Sequence, residues 1–570
     1  QDLGFVLKGL NIQAKLAFDN AFRETGRGVD DTNDWESEMH KWIDPDTGIE
    51  YTDISPDALY KFDFKNNSAW MTGAGAVQNW ATYRRMNYSV QLNYSNKFGN
   101  HTVGAMGNFS REQYATGSEQ PHYRENWVFR GTYDFANRYM LEYNGAYNGS
   151  EIFAKENRFA FFNSGAIGWM VSEEPLVKKL NLKWLDMLKI KASYGTLGNQ
   201  NLDKAYPAEP LLTNAYSAVF GKPSIIYPGY QLAYLPNPNL RWEKVEAWEA
   251  GFETNLLRNR LHFEGVYYKK NTKDLLAEVP GISGTIPGIG NLGEIQNKGV
   301  EMAVTWRDQI GDWGYSVSAN LTTIKNEVKS LVQEGYSIIA GDKQQSYTMA
   351  GYPIGYFYGY KVAGVYQSQA DIDASPKNTL ATVTPGDLKF ADVNGDGEIT
   401  PEDRTMIGNP TPKVTYGFSL GVDYKNWSLG IDMMGQGGNK IFRTWDNYNF
   451  AQFNYLEQRL DRWHGEGTSN TQPLLNTKHS INNHNSDYYI EDGKFFRIRN
   501  VQLAYTFDKS LISKIRLQAL KVYVNIQNLK TWKHNTGYTP ELGGTATAFG
   551  VDNGSYPVPA VYTFGINLTF

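Results

Sequence analysis

The chain has 570 residues and a formal net charge of −5, with acids and bases interspersed along it, which gives no electrostatic footprint for nucleic acid. It contains no cysteine, which removes disulfide frameworks and thiolate chemistry, and no apolar run of about 18 residues, which removes a membrane-spanning helix. What it does contain is 14% aromatic residues, 38 tyrosines and 55 glycines, a composition suited to a β-barrel whose alternate residues meet lipid and whose aromatic girdles mark the interfaces.

Taken in chain order, residues 3–19 read as a first strand. Met86, Tyr88, Val90, Leu92 and Tyr94 then alternate with Asn87, Ser89, Gln91 and Asn93, the period of two that sends successive side chains to opposite faces. Phe98-Gly99-Asn100 turns this strand back through Val103 to Phe109. Trp127 to Phe135 turns at Ala136-Asn137-Arg138 into Tyr139 to Tyr147, and Trp248, Ala250 and Phe252 lead through Arg258-Asn259-Arg260 to Leu261 and Phe263. Val300 to Trp306 turns near Gly311-Asp312 into Tyr315 to Leu321, and Tyr416 to Tyr424 turns at Lys425-Asn426 into Trp427 to Met433. Val501 to Phe507 and Val522 to Ile526 precede a last strand in which Tyr562, Phe564, Ile566, Leu568 and Phe570 alternate with Thr563, Gly565, Asn567 and Thr569.

Between these hairpins lie polar segments over residues 19–82, 198–240, 272–298, 327–412, 438–493 and 530–558. Long loops on one rim and tight turns on the other are the arrangement of an outer-membrane barrel, the tight turns facing the periplasm. Traced back from Phe570, the alternation predicts about 16 antiparallel strands over residues 1–570. A string of β-sandwich modules would instead show turn signals every ~8–12 residues and several separate cores.

Several segments resemble one family in its order. They are Lys191 to Asn201 (KASYGTLGNQN), Pro236 to Glu243 (PNPNLRWE), Tyr268 to Leu276, and Asn291 to Glu301 (NLGEIQNKGVE). Asp392 to Gly397 with Ile407 to Pro410, Ile490 to Gly493 before Arg497-Ile498-Arg499-Asn500-Val501, and Gln527-Asn528-Leu529 with Gly537 to Glu541 complete the series. This series resembles SusC/RagA-type TonB-dependent outer-membrane transporters. The resemblance implies an importer of oligosaccharides or peptides in the outer membrane of a Gram-negative, Bacteroidota-type cell. It also implies a SusD-like surface lipoprotein acting as a hinged lid and the TonB system as the energy source. The family barrel has 22 strands and an N-terminal plug, whereas Leu3 to Asp19 resembles a mid-barrel strand. The expectation is therefore a C-terminal barrel portion whose open edge is completed elsewhere, because unpaired backbone in lipid costs several kcal/mol per group. A passive 16-stranded porin, or a surface adhesion or assembly protein reusing the barrel, are the alternatives.

Within the 327–412 loop, Asp392-Val393-Asn394-Gly395-Asp396-Gly397-Glu398-Ile399-Thr400-Pro401-Glu402-Asp403 has calcium-loop spacing. Asp392, Asn394 and Asp396 offer side-chain oxygens at positions 1, 3 and 5, Gly397 allows the sharp turn, Glu398 offers a carbonyl, and Asp403 takes the last position. The same residues would also make a metal-free Asn/Asp/Gly turn cluster. Outside the strands, Tyr356 and Tyr358 in one Gly-rich stretch, and Trp445 and Tyr448 in another, are candidates for stacking on cargo; packing of loops against one another is the alternative. Asp342, Lys343, Arg443 and Arg459 read as solvated loop charges. Enzyme readings find no support: the eight histidines show no HExxH spacing, Glu173 and Glu174 are adjacent and point apart, and Gly435-Gln436-Gly437-Gly438 opens no helix to cradle phosphate.

Overall fold

The computed structural model describes residues 2–30, 35–38, 42–43, 50–51, 63–66, 71–78, 81–117, 119–202, 206–215, 217–221, 225–279, 288–332, 335–445, 456–475 and 480–570. The chain divides into two compact units, one of residues 1–93, 107–128 and 148–151, the other of residues 94–106, 129–147 and 152–570. Sixteen long strands account for the period-two segments. They are β1 (Leu10–Ala21), β2 (Tyr83–Phe98), β3 (His101–Thr116), β4 (His122–Phe135), β5 (Tyr139–Ser150), β6 (Phe159–Met170), β7 (Leu185–Asn199) and β8 (Glu243–Leu256). Then come β9 (Leu261–Lys273), β10 (Gly293–Ile310), β11 (Trp313–Thr323, resuming as Lys325–Leu331), β12 (Val414–Tyr424), β13 (Trp427–Gly437), β14 (Phe495–Thr506), β15 (Ala519–Lys533) and β16 (Val561–Thr569).

In the smaller unit β1 lies beside β2, and Asn93 Nδ2 on β2 donates to Asn11 Oδ1 on β1 at 3.0 Å. In the larger unit β6 to β16 form one antiparallel sheet in which each strand pairs with the next in sequence. The hairpin turns between them need left-handed backbone, which Gly311 (φ 59°) and Lys425 (φ 51°) supply. The β8–β9 turn is more demanding, since Leu257, Arg258 and Asn259 all have positive φ. It is held from outside: the Leu257 amide donates to Trp184 O at 2.8 Å and the Asn259 amide to Asp186 Oδ2 at 2.8 Å.

Register decides what each face of this sheet becomes. On one face apolar residues sit opposite apolar residues strand after strand: Ile190↔Phe252, Phe263↔Val304, Val304↔Ala319, Leu420↔Ile431, Leu429↔Leu503, Leu503↔Val524 and Val524↔Phe564. That face is open rather than packed, with Phe564 79% and Ile566 66% exposed. In water it would be an aggregation surface; in a bilayer it is the lipid-facing side. At the tight-turn ends Trp313 stacks on Tyr424 at 4.3 Å and Trp427 lies 4.8 Å from Tyr505, an aromatic girdle at that interface. The opposite face carries Lys189, Lys191, Glu249, Glu264 and Glu301, with Ser419 Oγ donating to Asp432 at 2.7 Å.

Two expectations about the loop rim need correction. Two connections that the alternation expects to be long, 117–121 and 151–158, are short, so the alternation of short and long connections is not strict. The expected loops 272–298 and 327–412 also begin too early or end too late, since β9 runs to Lys273, β10 starts at Gly293 and β11 continues to Leu331. Polar residues there, such as Gln296, Lys298 and Glu327, read as loop but are strand positions beyond the apolar band.

Candidate functional site: the folded outer loops

The loops of the larger unit fold into layers with their own interiors. At their base Phe153, Phe162, Leu240, Trp242 and Ile289 form a buried cluster joining segments 151–158, 200–242 and 274–292. The motif residues of the sequence make this clasp. Asn237 Nδ2 donates to Ile289 O at 2.9 Å, Asn291 Nδ2 donates to Arg241 O and Asp274 O at 2.9 Å each, and Asn291 Oδ1 accepts from the Arg241 amide at 3.0 Å. Glu243 accepts from Asn199 Nδ2 (3.0 Å) and the Leu276 amide (3.1 Å), closing the buried backbone. In the NLGEIQNKGVE segment, Gly299 lies so close to β11 that a Cβ would sit 1.8 Å from Thr323 O. The Arg497-Ile498-Arg499-Asn500 motif is a β-bulge opposite Gln527-Asn528-Leu529, where Asn528 has φ 53°. The extra residue lets Arg497 and Asn500 both face the polar side of the sheet.

Above the base, Ile338–Ala340, Ser346–Thr348, Tyr356–Gly359 and Thr405–Gly408 form a four-stranded sheet. Lys440–Arg443 pairs with Ile490–Asp492 and, in parallel, with Val551–Asp552. Tyr360, Val365, Leu388, Phe390, Ile399 and Ile481 make one core here, and Phe357, Phe442 and Tyr489 another. A buried polar net locks them: Asn482 Nδ2 donates to Asp387 Oδ1 at 3.0 Å, the Leu388 amide donates to Asn482 Oδ1 at 2.7 Å, and the Tyr489 hydroxyl donates to Asn482 O at 2.7 Å. Arg443 and Arg459, read from sequence as solvated, are 5% and 2% exposed. Arg443 pairs with Glu491 at 2.9 Å, and Glu491 accepts in turn from the Thr536 amide (2.9 Å) and hydroxyl (2.6 Å), joining segments 438–445, 490–492 and 534–558. Arg459 bonds Gln472 and the Tyr488 hydroxyl. A run of polar loop sequence gives no sign of such burial, because the partners lie far away in the chain.

The aromatic candidates divide. Tyr356 is 1% exposed and packs beside Tyr352 at 4.9 Å, with its hydroxyl pushed well above the ordinary tyrosine range by burial. Tyr358 is half-buried, with the Arg404 guanidinium 5.4 Å from its ring centre. Trp445 is half-buried near Arg443, and Tyr448 lies outside the described residues.

In the Asp392–Asp403 loop the acids bond their own backbone. Asp392 accepts from the Gly395 amide (2.6 Å) and the Gly397 amide (2.8 Å), and Asn394 Oδ1 from the Asp396 amide (3.0 Å). Asp396 Oδ1 accepts from the Glu398 amide (2.9 Å), while Glu398 itself lies 3.4 Å from Lys377. Asp403 is fully buried and spends Oδ1 on the Val393 amide and Oδ2 on the Thr400 amide, completing a capping box. Burial alone would raise its carboxyl, but the amides of Thr400, Val393 and Asn394 hold it below the usual carboxylate range. Among the described residues, no three His, Asp or Glu side chains gather with metal-holding geometry. Hydrogen bonds from backbone amides to Asp392, Asn394, Asp396 and Asp403 run the length of the loop.

Residues 3–529 match the family described as TonB dependent receptor-like, beta-barrel. The chain is 31% identical over 464 residues to TonB-dependent receptor P3 of Formosa agariphila, covering 77% of this chain and 45% of that protein. It is 27% identical over 462 residues to TonB-dependent receptor SusC of Bacteroides thetaiotaomicron, covering 77% and 43%. In fold it is similar to the RagAB peptide transporter, with a TM-score of 0.72 at 22% identity over 86% of this chain and 56% of that one. The chain thus spans about half the length of the curated relatives it matches. With an antiparallel sheet whose one face is open and apolar, motifs that clasp its outer loops and this match along most of its length, the chain belongs to the TonB-dependent receptor β-barrel family of the outer membrane.

Proposed function

We propose that the chain is the barrel portion of an active importer that takes up oligosaccharides or peptides together with a SusD-like surface lipoprotein, driven by the TonB system. The observation that carries this reading is the folded outer-loop layer, tied through the buried Arg443–Glu491 pair and its bonds to Thr536. A pore that only lets small solutes diffuse has no need of loops with their own hydrophobic cores. A lid that closes over large cargo needs a rigid seat, and fixed loops provide one. The likeness to SusC supports the partner, and the RagAB fold likeness is compatible with a peptide cargo. Of the aromatic candidates, half-buried Tyr358 and Trp445 keep part of their surface free and would meet cargo, while Tyr356 serves packing.

The test is growth and labelled-cargo uptake in cells whose full-length protein is deleted and then restored, with the neighbouring lipoprotein recovered by affinity purification. Uptake that persists after removal of TonB energisation, or ion conductance without the lipoprotein, would favour the passive porin instead. Lipoprotein binding without any uptake would favour an adhesion or assembly role.

Calcium at residues 392–403 is a separate proposal, supported by ligand spacing. Asp392, Asn394, Asp396 and Asp403 would supply side-chain oxygens and Glu398 its carbonyl, and Asp403 would have to release a backbone amide to take part. Isothermal titration of the full-length protein with calcium after chelation, against an Asp392→Asn/Asp396→Asn variant, tests it; equal heats from both proteins would end it.

A further inference from the structure

The pairing of β7 to β11 places an unusual row of side chains on the lipid-facing side. Tyr194 on β7 lies opposite Trp248 on β8, Trp248 opposite Lys269 on β9, Lys269 opposite Lys298 on β10, and Lys298 opposite Lys325 on β11. The row shares its face with the apolar band, because Tyr267, Met302 and Val304 follow Lys269 and Lys298 at two-residue steps and are 50%, 45% and 37% exposed. Its level is marked by the Tyr194–Trp248 ring pair, 4.3 Å apart, an interfacial aromatic pair at the loop end of the strands.

Like charges directly opposite one another weaken a sheet. Lys269, Lys298 and Lys325 nonetheless stand side by side across three strands, and among the described residues none of them has a carboxylate within ion-pair distance. Lysines further toward the loops are treated differently. Glu246 takes Lys244 (3.2 Å) and Lys273 (2.8 Å), and Glu327 takes Lys329 (2.6 Å). One step along the strands from the row, Gln296 Nε2 donates to Asn271 Oδ1 at 3.1 Å, and the acids Glu246 and Glu327 stand on either side of that neutral pair. The row therefore combines three ammonium groups without a direct ion pair, Lys298 and Lys325 sharing only the longer-range field of Glu327, with an aromatic marker of headgroup depth and continuity with the hydrocarbon-facing surface. Long lysine stems lie along apolar surface while their charges reach the polar layer.

We propose that Lys269, Lys298 and Lys325 form a docking site for the phosphate groups of an anionic lipid in the outer leaflet, its acyl chains lying on the Met302–Val304 band. This rests on the family assignment and its membrane orientation, not on the identity of the cargo.

The test uses the full-length protein in nanodiscs containing phosphorylated lipid A or its dephosphorylated counterpart, with bound lipid counted by native mass spectrometry. Replacing all three residues by glutamine should lower the retained phosphorylated lipid on the order of 100-fold, about fivefold per lysine. A Lys244→Gln/Lys329→Gln control, and a triple Lys→Arg variant, should retain it at the wild-type level. Heat-modifiable migration on gels checks folding; if the triple glutamine variant does not fold, Lys298→Gln alone should show the fivefold loss. Equal retention by the glutamine and wild-type proteins overturns the proposal. So does equal retention of the dephosphorylated lipid, or displacement by millimolar inorganic phosphate, which would mark a free-anion site.

Discussion

The strand wall and the outer loops obey opposite rules within one chain. The largest fully buried side chains among the described residues, including Tyr356, Tyr366, Phe390, Phe442, Leu240 and Ile441, all lie in loops. The wall instead turns Trp248, Tyr562, Phe564 and Ile566 outward. The loops face water and must bury apolar groups against each other, as any soluble domain does. The wall is solvated by hydrocarbon, so its apolar side chains gain nothing by turning inward, and its cohesion comes from the backbone ladder. Exposure thus has two meanings here: in the loops it marks tolerance to change, and in the wall it marks contact with lipid.

Substitutions can break or sharpen that contrast. The largest effect belongs to the loop core. Phe390→Ala should destabilise the 336–412 region by about 3–5 kcal/mol, read as accelerated hydrogen exchange there with the heat-modifiable band unchanged. An equal loss of exchange protection along β12 to β16 would show that loops and wall unfold together. Next comes the lipid face. Val304→Lys alters a side chain that is 37% exposed, a change of little consequence on a water-facing surface, but should cost about 2–4 kcal/mol in folding titrations into lipid vesicles. A neutral result would contradict the assignment of that face.

Smaller still is Gly299→Ala, whose Cβ would sit 1.8 Å from Thr323 O, a backbone clash relieved only if β10 and β11 move apart by about an ångström or more. We expect about 1–3 kcal/mol, with lost protection confined to amides near Thr323. The smallest effect is a pH response within the loops. The Asp403 carboxyl is held low, so its contribution is present above the unfolded value of about 3.9 and fades as pH falls through the folded value. Burial raises Asp487, the largest influence on it, despite the Val362 amide it accepts at 2.9 Å. It therefore opposes folding near neutrality, and this penalty lifts as pH falls through its raised value. Measured against an unstructured amide at the same pH, protection at Thr400 should fall on acidification while protection at Val362 rises in the mildly acid range; parallel behaviour of both amides would refute the opposed signs.

Much of the wall is legible in the order of its residues. Alternation such as Tyr562, Phe564, Ile566 and Leu568 against Thr563, Gly565 and Asn567 specifies strand and face together, since a period of two is a local property of the chain. The turns at Gly311 and Lys425 are legible for the same reason. The motifs at Asn237, Glu243 and Asn291 mark the family without revealing that they clasp the loop base, and Arg443 and Arg459 read as solvated although both are buried.

Local sequence decided where the strands of the apolar band lie, which of their faces is apolar and which rim carries the long loops, but not how far β10 and β11 run beyond that band. Tertiary pairing alone decided that Lys269, Lys298 and Lys325 stand in one row, that Tyr356 is interior, and that Glu491 gathers Arg443 and Thr536. Each of these depends on which distant strand or loop lies opposite. Periodicity assigns a side chain to a face, but only register and loop packing assign it a neighbour.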